Sequence, residues 1–342
     1  MSRTIKRCFD KNLTFLKMLE AHERAKRGKM GRLEVFNFEL NLECNLINII
    51  EKIRLGQYQI GQYRSFTVYE PKERVIKALP YVDRVVHQWY VHEFIKPYFI
   101  PRLITNTFAC LDNRGTHKAV DALQRYIRIM KRNYGTNYYI LKMDVKKFFY
   151  TIDQKILFNI MRKYIKDKKL LAFTKLLISN DEKIGIPIGN YTSQFFANIY
   201  LNELDQYVKH ILKIKYYVRY MDDFVILVDN KEKAKVIKEK INNFLNFNLK
   251  LSLNAKSRYY PNRMGVDFCG YRIWSTHRLV RNRCKKKIRK QIKRWNKLYI
   301  SHKLDKKKFI LAFNSWLGHI KHADSFNLKK QMIRQISFIT MI

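Results

Sequence analysis

Apolar and polar positions change period several times along the chain, and each change predicts an element. Residues 138–143 are almost wholly aromatic and aliphatic and end at Asp144, the pattern of a buried strand with a carboxylate at its exit. Asp153 then stands in an N-cap position, and Ile156, Leu157, Ile160, Met161 and Tyr164 behind it recur at the spacing of one helix face. A second helix is predicted to start near Thr192 and Ser193, after the Ile186-Pro187-Ile188-Gly189 loop, with Phe195, Phe196, Ile199, Tyr200 and Leu204 turned inward. Two β-branched and aromatic runs, 216–220 and 224–228, are separated by Met221, Asp222 and Asp223 alone, which predicts a hairpin with carboxylates at its tip. Strands and helices alternating in this way read as an α+β domain.

The pattern changes near Trp274. In residues 278–294, ten of seventeen positions are Lys or Arg and none is acidic, while Ile288, Ile292 and, just beyond, Trp295 fall at helical spacing. This reads as a basic helix with one buried face and a nucleic-acid surface on the other. The whole composition points the same way: 69 Lys+Arg against 28 Asp+Glu give a formal net charge of +41, a field that binds polyanions before any specific contact forms. A length of 342 residues with 47% hydrophobic positions excludes a disordered chain. An anionic membrane surface is the competing polyanion, but the chain carries neither a lipidation signal nor a long amphipathic anchor. The five cysteines are odd in number, widely spaced and without a C-x-x-C pair, so they read as reduced thiols of an intracellular protein. No apolar h-region follows the N-terminus and no apolar run reaches the roughly 18 residues of a membrane span, so a soluble, unsecreted protein is expected.

Chemistry enters at the hairpin tip. A tight hairpin favours Asn-Gly or Asp-Gly because its central residues need positive φ, and Met221-Asp222-Asp223 contains no glycine. Two adjacent carboxylates between buried strands repel each other unless a multivalent cation neutralises them. Hard oxygen ligands suit Mg²⁺, which keeps part of its shell for substrate phosphates. Two such ions, about 3.5–4 Å apart, activate an attacking hydroxyl and stabilise the leaving oxygen. Asp144, at the end of another strand, is the candidate for the second edge of that site.

Tyr220-Met221-Asp222-Asp223 resembles the Y-x-D-D box of reverse transcriptases, and further motifs follow in the family's order. Leu141-Lys142-Met143-Asp144-Val145-Lys146-Lys147-Phe148-Phe149 resembles its first carboxylate motif, and Gly265-Val266-Asp267-Phe268-Cys269-Gly270-Tyr271 its primer grip. Pro71-Lys72-Glu73-Arg74 with Asp83-Arg84-Val85-Val86 is similar to its fingers motif. Where most of the family carries Gln-Gly and Ser-Pro, this chain has Ile188-Gly189-Asn190-Tyr191-Thr192-Ser193-Gln194, which resembles the enzymes of diversity-generating retroelements. Cys110 with Gly115-Thr116-His117-Lys118-Ala119-Val120, Trp316-Leu317-Gly318-His319, and His322-Ala323-Asp324-Ser325 are also similar to that subgroup.

The resemblance implies an α+β right-hand polymerase of fingers, palm and thumb, with an antiparallel palm sheet. Fingers and palm would interleave over residues 1–275, and 276–342 would form a helical basic thumb. It implies an RNA-directed DNA polymerase that copies a template-repeat RNA into adenine-mutagenised cDNA for diversification of a target gene. Asp144, Asp222 and Asp223 would be catalytic, with two Mg²⁺ ions, for which Mn²⁺ can substitute, at Asp144, Val145, Asp222 and Asp223. Lys72, Arg74, Ile188, Gly189, Gln194 and Lys256 would surround the incoming dNTP, with Phe149 as the steric gate against a ribose 2′-OH. Tyr220, Met221, Gly270 and Tyr271, with Arg281, Arg283, Lys285, Lys286, Lys287 and Arg289, would touch nucleic acid. Implied partners are template RNA, the RNA–DNA heteroduplex and a small basic helical oligomeric accessory protein, in the cytoplasm of a bacterium or as a phage-encoded enzyme. No room is expected after the thumb for an RNase H, endonuclease or maturase domain. A retron, group II intron-like or phage-defence reverse transcriptase and a catalytically inactive RNA-binding scaffold are the alternatives. The roles of His117, Asn106 and Asn113 stay open, His117 being simplest as a helix-start residue.

Overall fold

A computed structural model describes residues 4–69, 73–179 and 183–338. They form helices and antiparallel strand pairs, in agreement with the expected α+β class, and the chain folds into two compact units. Among the described residues no helix is long and apolar enough to cross a membrane.

The first unit takes its described residues from Met1–Leu111, Asp144–Lys215 and Glu239–Lys256. A hairpin in it pairs β1 (Arg64–Val68) with β2 (Arg74–Ala78). The rest is mainly helical around an aromatic core in which Phe9, Phe94 and Phe173 pack against the fully buried Trp89. The helix Gln154–Arg162 begins where expected, because the Asp153 carboxylate accepts the Ile156 N–H at 3.0 Å. The helix Tyr191–Gln206 buries Phe195, Phe196, Ile199, Tyr200 and Leu204. It packs against the helix Tyr81–Tyr90, and between them the Thr192 Oγ1 lies 2.9 Å from Nδ1 of His87.

His87 is 1% exposed and its Nε2 has no hydrogen-bond partner, so burial lowers its pKa to about 3. The folded value lies below the ordinary one, so the unfolded chain takes up this proton first as pH falls. The stability is fully present above about pH 6.5 and is lost progressively down to about pH 3, with a slope approaching about 1.4 kcal/mol per pH unit. Denaturant melts from pH 7 to pH 4 should show this slope in the unaltered protein and a shallower one in His87→Gln. Equal slopes would assign the loss to other groups.

The second unit takes its described residues from Asp112–Met143, Tyr216–Lys238 and Ser257–Ile342. Its larger sheet runs β4-β5-β3-β6, where β3 is Tyr139–Asp144, β4 Tyr217–Tyr220, β5 Asp223–Val228 and β6 Arg258–Pro261. The helix Thr116–Tyr134 packs on β4 and β5. A second sheet has three antiparallel strands, β7 (Val266–Phe268), β8 (Tyr271–Ile273) and β9 (Arg278–Val280). The helices Asn282–Ile300, Lys306–Ile320 and Phe326–Ile333 close over a core of Ile288, Ile292, Trp295, Phe309, Phe313, Met332 and Ile336.

Two local expectations need correction. Asp223 is not part of the turn, since it pairs with Tyr220 as the first residue of β5 and leaves Met221 and Asp222 as the only turn residues. The basic run does not begin as a helix either. Residues 278–280 are the edge strand β9, whose backbone groups pair with β8, and the helix starts at Asn282.

Candidate active site

The β4–β5 hairpin carries two of the candidate carboxylates, Asp222 in its turn and Asp223 at the start of β5. Met221 adopts φ 55°, in the left-handed region that costs an L residue about 1–2 kcal/mol. The expected conflict between positive φ and the absence of glycine is therefore real, and it is carried by a methionine. Nη1 of the fully buried Arg219 donates to the Met221 carbonyl at 2.9 Å, and Thr116 Oγ1 donates to the Tyr220 hydroxyl at 3.3 Å. Asp222 and Asp223 are half-buried. The Asp223 carboxylate forms an ion pair with Lys142 of β3.

Asp144 ends β3 and is anchored by Asn254, whose backbone N–H donates to the Asp144 carbonyl at 2.7 Å and whose side-chain amide donates to its carboxylate at 3.0 Å. Val145 bridges Leu253, and the Lys146 N–H donates to Ser252 at 2.9 Å, so residues 252–254 hold this motif as an extra strand would. Lys147 then turns through φ 48° into the short helix Phe148–Thr151. Phe148 is buried, while Phe149 is half-buried with its carbonyl accepting the Ile186 N–H at 2.8 Å.

The Ile188-Gly189 loop lies against β2. The Ile188 carbonyl accepts the Lys77 N–H at 2.9 Å. Gly189 has φ 128°, and a Cβ there would lie 2.5 Å from the Lys77 carbonyl, so no other residue fits without displacing β2. Asn190 donates to the Tyr63 hydroxyl at 2.8 Å. Ile188 is half-buried and Gln194 is exposed on the first turn of its helix. Arg74 is the exposed first residue of β2, whereas Lys72 lies outside the described residues. Lys256 is exposed, its N–H bonded to the Asn254 side chain at 3.1 Å.

The segment read as a primer grip is the β7–β8 hairpin. Its turn residues Cys269 and Gly270 both have positive φ, 47° and 90°. Tyr271 is buried and donates to the His319 carbonyl at 2.7 Å, while its hydroxyl also meets Nδ1 of His117 at 3.3 Å and Nδ1 of His319 at 3.1 Å. His117 stacks on His322 at 3.6 Å between ring centroids. Burial lowers the pKa values of both His117 and His319. On the basic helix Arg281, at its N-cap, Arg283, Lys286, Lys287 and Arg289 are exposed and Lys285 is half-buried. Of the residues left open, Asn106 is buried, and Asn113 has φ 58° with its carbonyl accepting from Lys118 at 2.6 Å.

Three residues at this site escaped the sequence reading: Asn254, Lys142 and Arg219. Arg219 and Lys142 each carried a signal, being a charge inside an otherwise apolar and aromatic run, whereas Asn254 carried none. Among the described residues no group of three or more His, Cys, Asp and Glu side chains is arranged to hold a metal ion. The adjacent carboxylates of Asp222 and Asp223 nevertheless fit Mg²⁺ by donor chemistry, since that ion needs only one or two protein carboxylates beside substrate phosphates.

Residues 70–273 match the family described as reverse transcriptase (RNA-dependent DNA polymerase). The chain belongs to this family. The reverse transcriptase match contains every motif quoted above except those beyond residue 273. A curated relative, the putative COX1/OXI3 intron 2 protein of Saccharomyces cerevisiae, is 24% identical over 62% of this chain and 31% of its own. The chain thus spans about a third of that relative's length. Among solved structures, telomerase from Candida albicans with a TWJ fragment of telomeric RNA matches with TM-score 0.48 and 10% identity, covering 70% of this chain and 51% of that one. Apo telomerase from Candida tropicalis, truncated from its C-terminal domain, matches with TM-score 0.49 and 14% identity, covering 66% of this chain and 55% of that one.

Proposed function

We propose that this reverse transcriptase is an RNA-directed DNA polymerase that copies a template RNA into error-prone cDNA in a diversity-generating retroelement. The observation that carries the polymerase reading is the β4–β5 hairpin, whose tip presents half-buried Asp222 and Asp223 inside the segment matched to the family. Asp222 and Asp223, with Asp144 and the Val145 backbone by the resemblance of their motif, would hold two Mg²⁺ ions. Bound there, the ions would activate the primer hydroxyl and stabilise the leaving pyrophosphate. Lys142 offsets part of the negative charge at Asp223, and Asn254 keeps the Asp144 carboxylate in one orientation. Lys72, Arg74, Gly189, Gln194 and Lys256 would bind the triphosphate and base, and Phe149 would exclude a ribose 2′-OH. Tyr220, Met221, Gly270 and Tyr271 would align the primer, with residues 1–275 as fingers and palm and 276–342 as thumb. The partners in this reading are template RNA and a small basic helical accessory protein in a bacterial cytoplasm.

The retroelement assignment rests on Ile188, where accurate relatives carry a glutamine whose amide senses correct base-pair geometry. Isoleucine offers only shape, and one such hydrogen bond is worth about 0.5–1.5 kcal/mol, or up to roughly tenfold in discrimination. Single-nucleotide incorporation opposite each template base, compared between the unaltered chain and Ile188→Gln, should show errors concentrated opposite adenine and reduced several-fold by glutamine. Equal error at all four bases would leave the second reading, an intron-encoded enzyme, which the likeness to the yeast intron 2 protein favours. No extension on RNA with either Mg²⁺ or Mn²⁺ would leave an inactive RNA-binding scaffold.

A further inference from the structure

The geometry points to Arg219 as the positioning residue that holds the Met221–Asp222 turn in its working form, an inference that rests on the polymerase reading above. Arg219 is among the largest side chains that are fully buried, and it is the charged one in that group. A buried guanidinium is costly unless its hydrogen bonds are made, so its place in the strand Tyr217–Tyr220 calls for a purpose that an aliphatic residue would not serve. One of its bonds spans the turn: Nη1 donates to the Met221 carbonyl at 2.9 Å.

That carbonyl belongs to the peptide joining Met221 to Asp222. Fixing that peptide plane, with the Tyr220↔Asp223 pair on its far side, restrains the backbone from which the Asp222 side chain projects. Met221 must meanwhile stay at φ 55°, a conformation that a methionine leaves when nothing restrains it. The strand pairing Tyr220↔Asp223 closes the base of the turn, and Arg219 restrains its tip from within the core. Met221 thus occupies a conformation that glycine would take freely, and Arg219 makes that occupation possible.

A double-mutant cycle on the full chain tests this. Arg219→Met should slow single-turnover primer extension by about tenfold or more with a dNTP KM changed less than about twofold. It should also weaken Mn²⁺ binding, measured by electron paramagnetic resonance without nucleic acid, by several-fold. Glycine takes positive φ without strain, so in a Met221→Gly background the same Arg219→Met change should cost at least about threefold less in both readouts. Equal losses in the two backgrounds would make Arg219 a core residue only, and no loss in either would overturn the inference outright. Arg219→Lys, which keeps the buried charge but not the forked reach, replaces Arg219→Met in the cycle if the latter does not fold. The Mn²⁺ readout stands without any polymerase activity, so failure of the polymerase reading itself would show in the unaltered chain and not in the cycle.

Discussion

Replacing Asp222 by asparagine should abolish primer extension on RNA, by on the order of a thousandfold, while melting temperature and RNA affinity stay near those of the unaltered protein. Asparagine keeps the size and shape of the side chain and removes the charge by which, in the proposed reading, Asp222 would hold a metal ion. Asp222 is half-buried in a two-residue turn, so its loss opens no cavity, and the turn backbone is held by Arg219 and by the Tyr220↔Asp223 pair. Extension rates, thermal melts followed by circular dichroism, and RNA binding at fixed salt check the three parts separately. Extension at near the unaltered rate would remove the metal role assigned to Asp222. A parallel loss of melting temperature would mean that the turn is structural.

Neutralising Arg281, Arg283, Lys286, Lys287 and Arg289 to glutamine should weaken binding of an RNA–DNA duplex by roughly a hundredfold or more near 0.1 M salt. It should also flatten the dependence of log K on log salt by about 0.9 for each phosphate that is no longer neutralised, on the B-DNA scale. These five side chains are exposed, while Ile288, Ile292 and Trp295 anchor the other face of the helix Asn282–Ile300, so the fold should be unaffected. Lys285 is half-buried and is left in place. Duplex titrations at several salt concentrations measure the slope. An unchanged slope would make this run a solvated face.

Much of the fold around the candidate site was legible because its elements are declared locally. Asp153 caps its helix through a bond to a residue three positions on, and the inward face of the helix Tyr191–Gln206 follows from spacing alone. The Y-M-D-D turn was legible for the opposite reason: a hairpin without its usual glycine breaks a local rule, and such breaks collect at functional sites. The boundary of that turn was not legible. Whether Asp223 belongs to turn or strand depends on which residue pairs with Tyr220, a matter of register.

The amino-acid sequence by itself determined the chain's class, its strongly positive net charge, the periods of its helices and strands, and the order of motifs that resembles a reverse transcriptase. These depend on neighbours in the chain or on totals over it. The tertiary structure decided what depends on residues far apart: the Asn254 bonds to Asp144, the Lys142 pair with Asp223, the approach of Gly189 to the Lys77 carbonyl, and the stacking of His117 on His322. It also decided that residues 278–280 are a strand, because charge runs suit a solvent-facing helix or a sheet edge equally and only a partner such as β8 settles the choice. Burial is the common physical reason. A buried charge such as Arg219 or an unpartnered nitrogen such as His87 Nε2 takes its energy from what surrounds it, and those surroundings come from segments that no local pattern brings together.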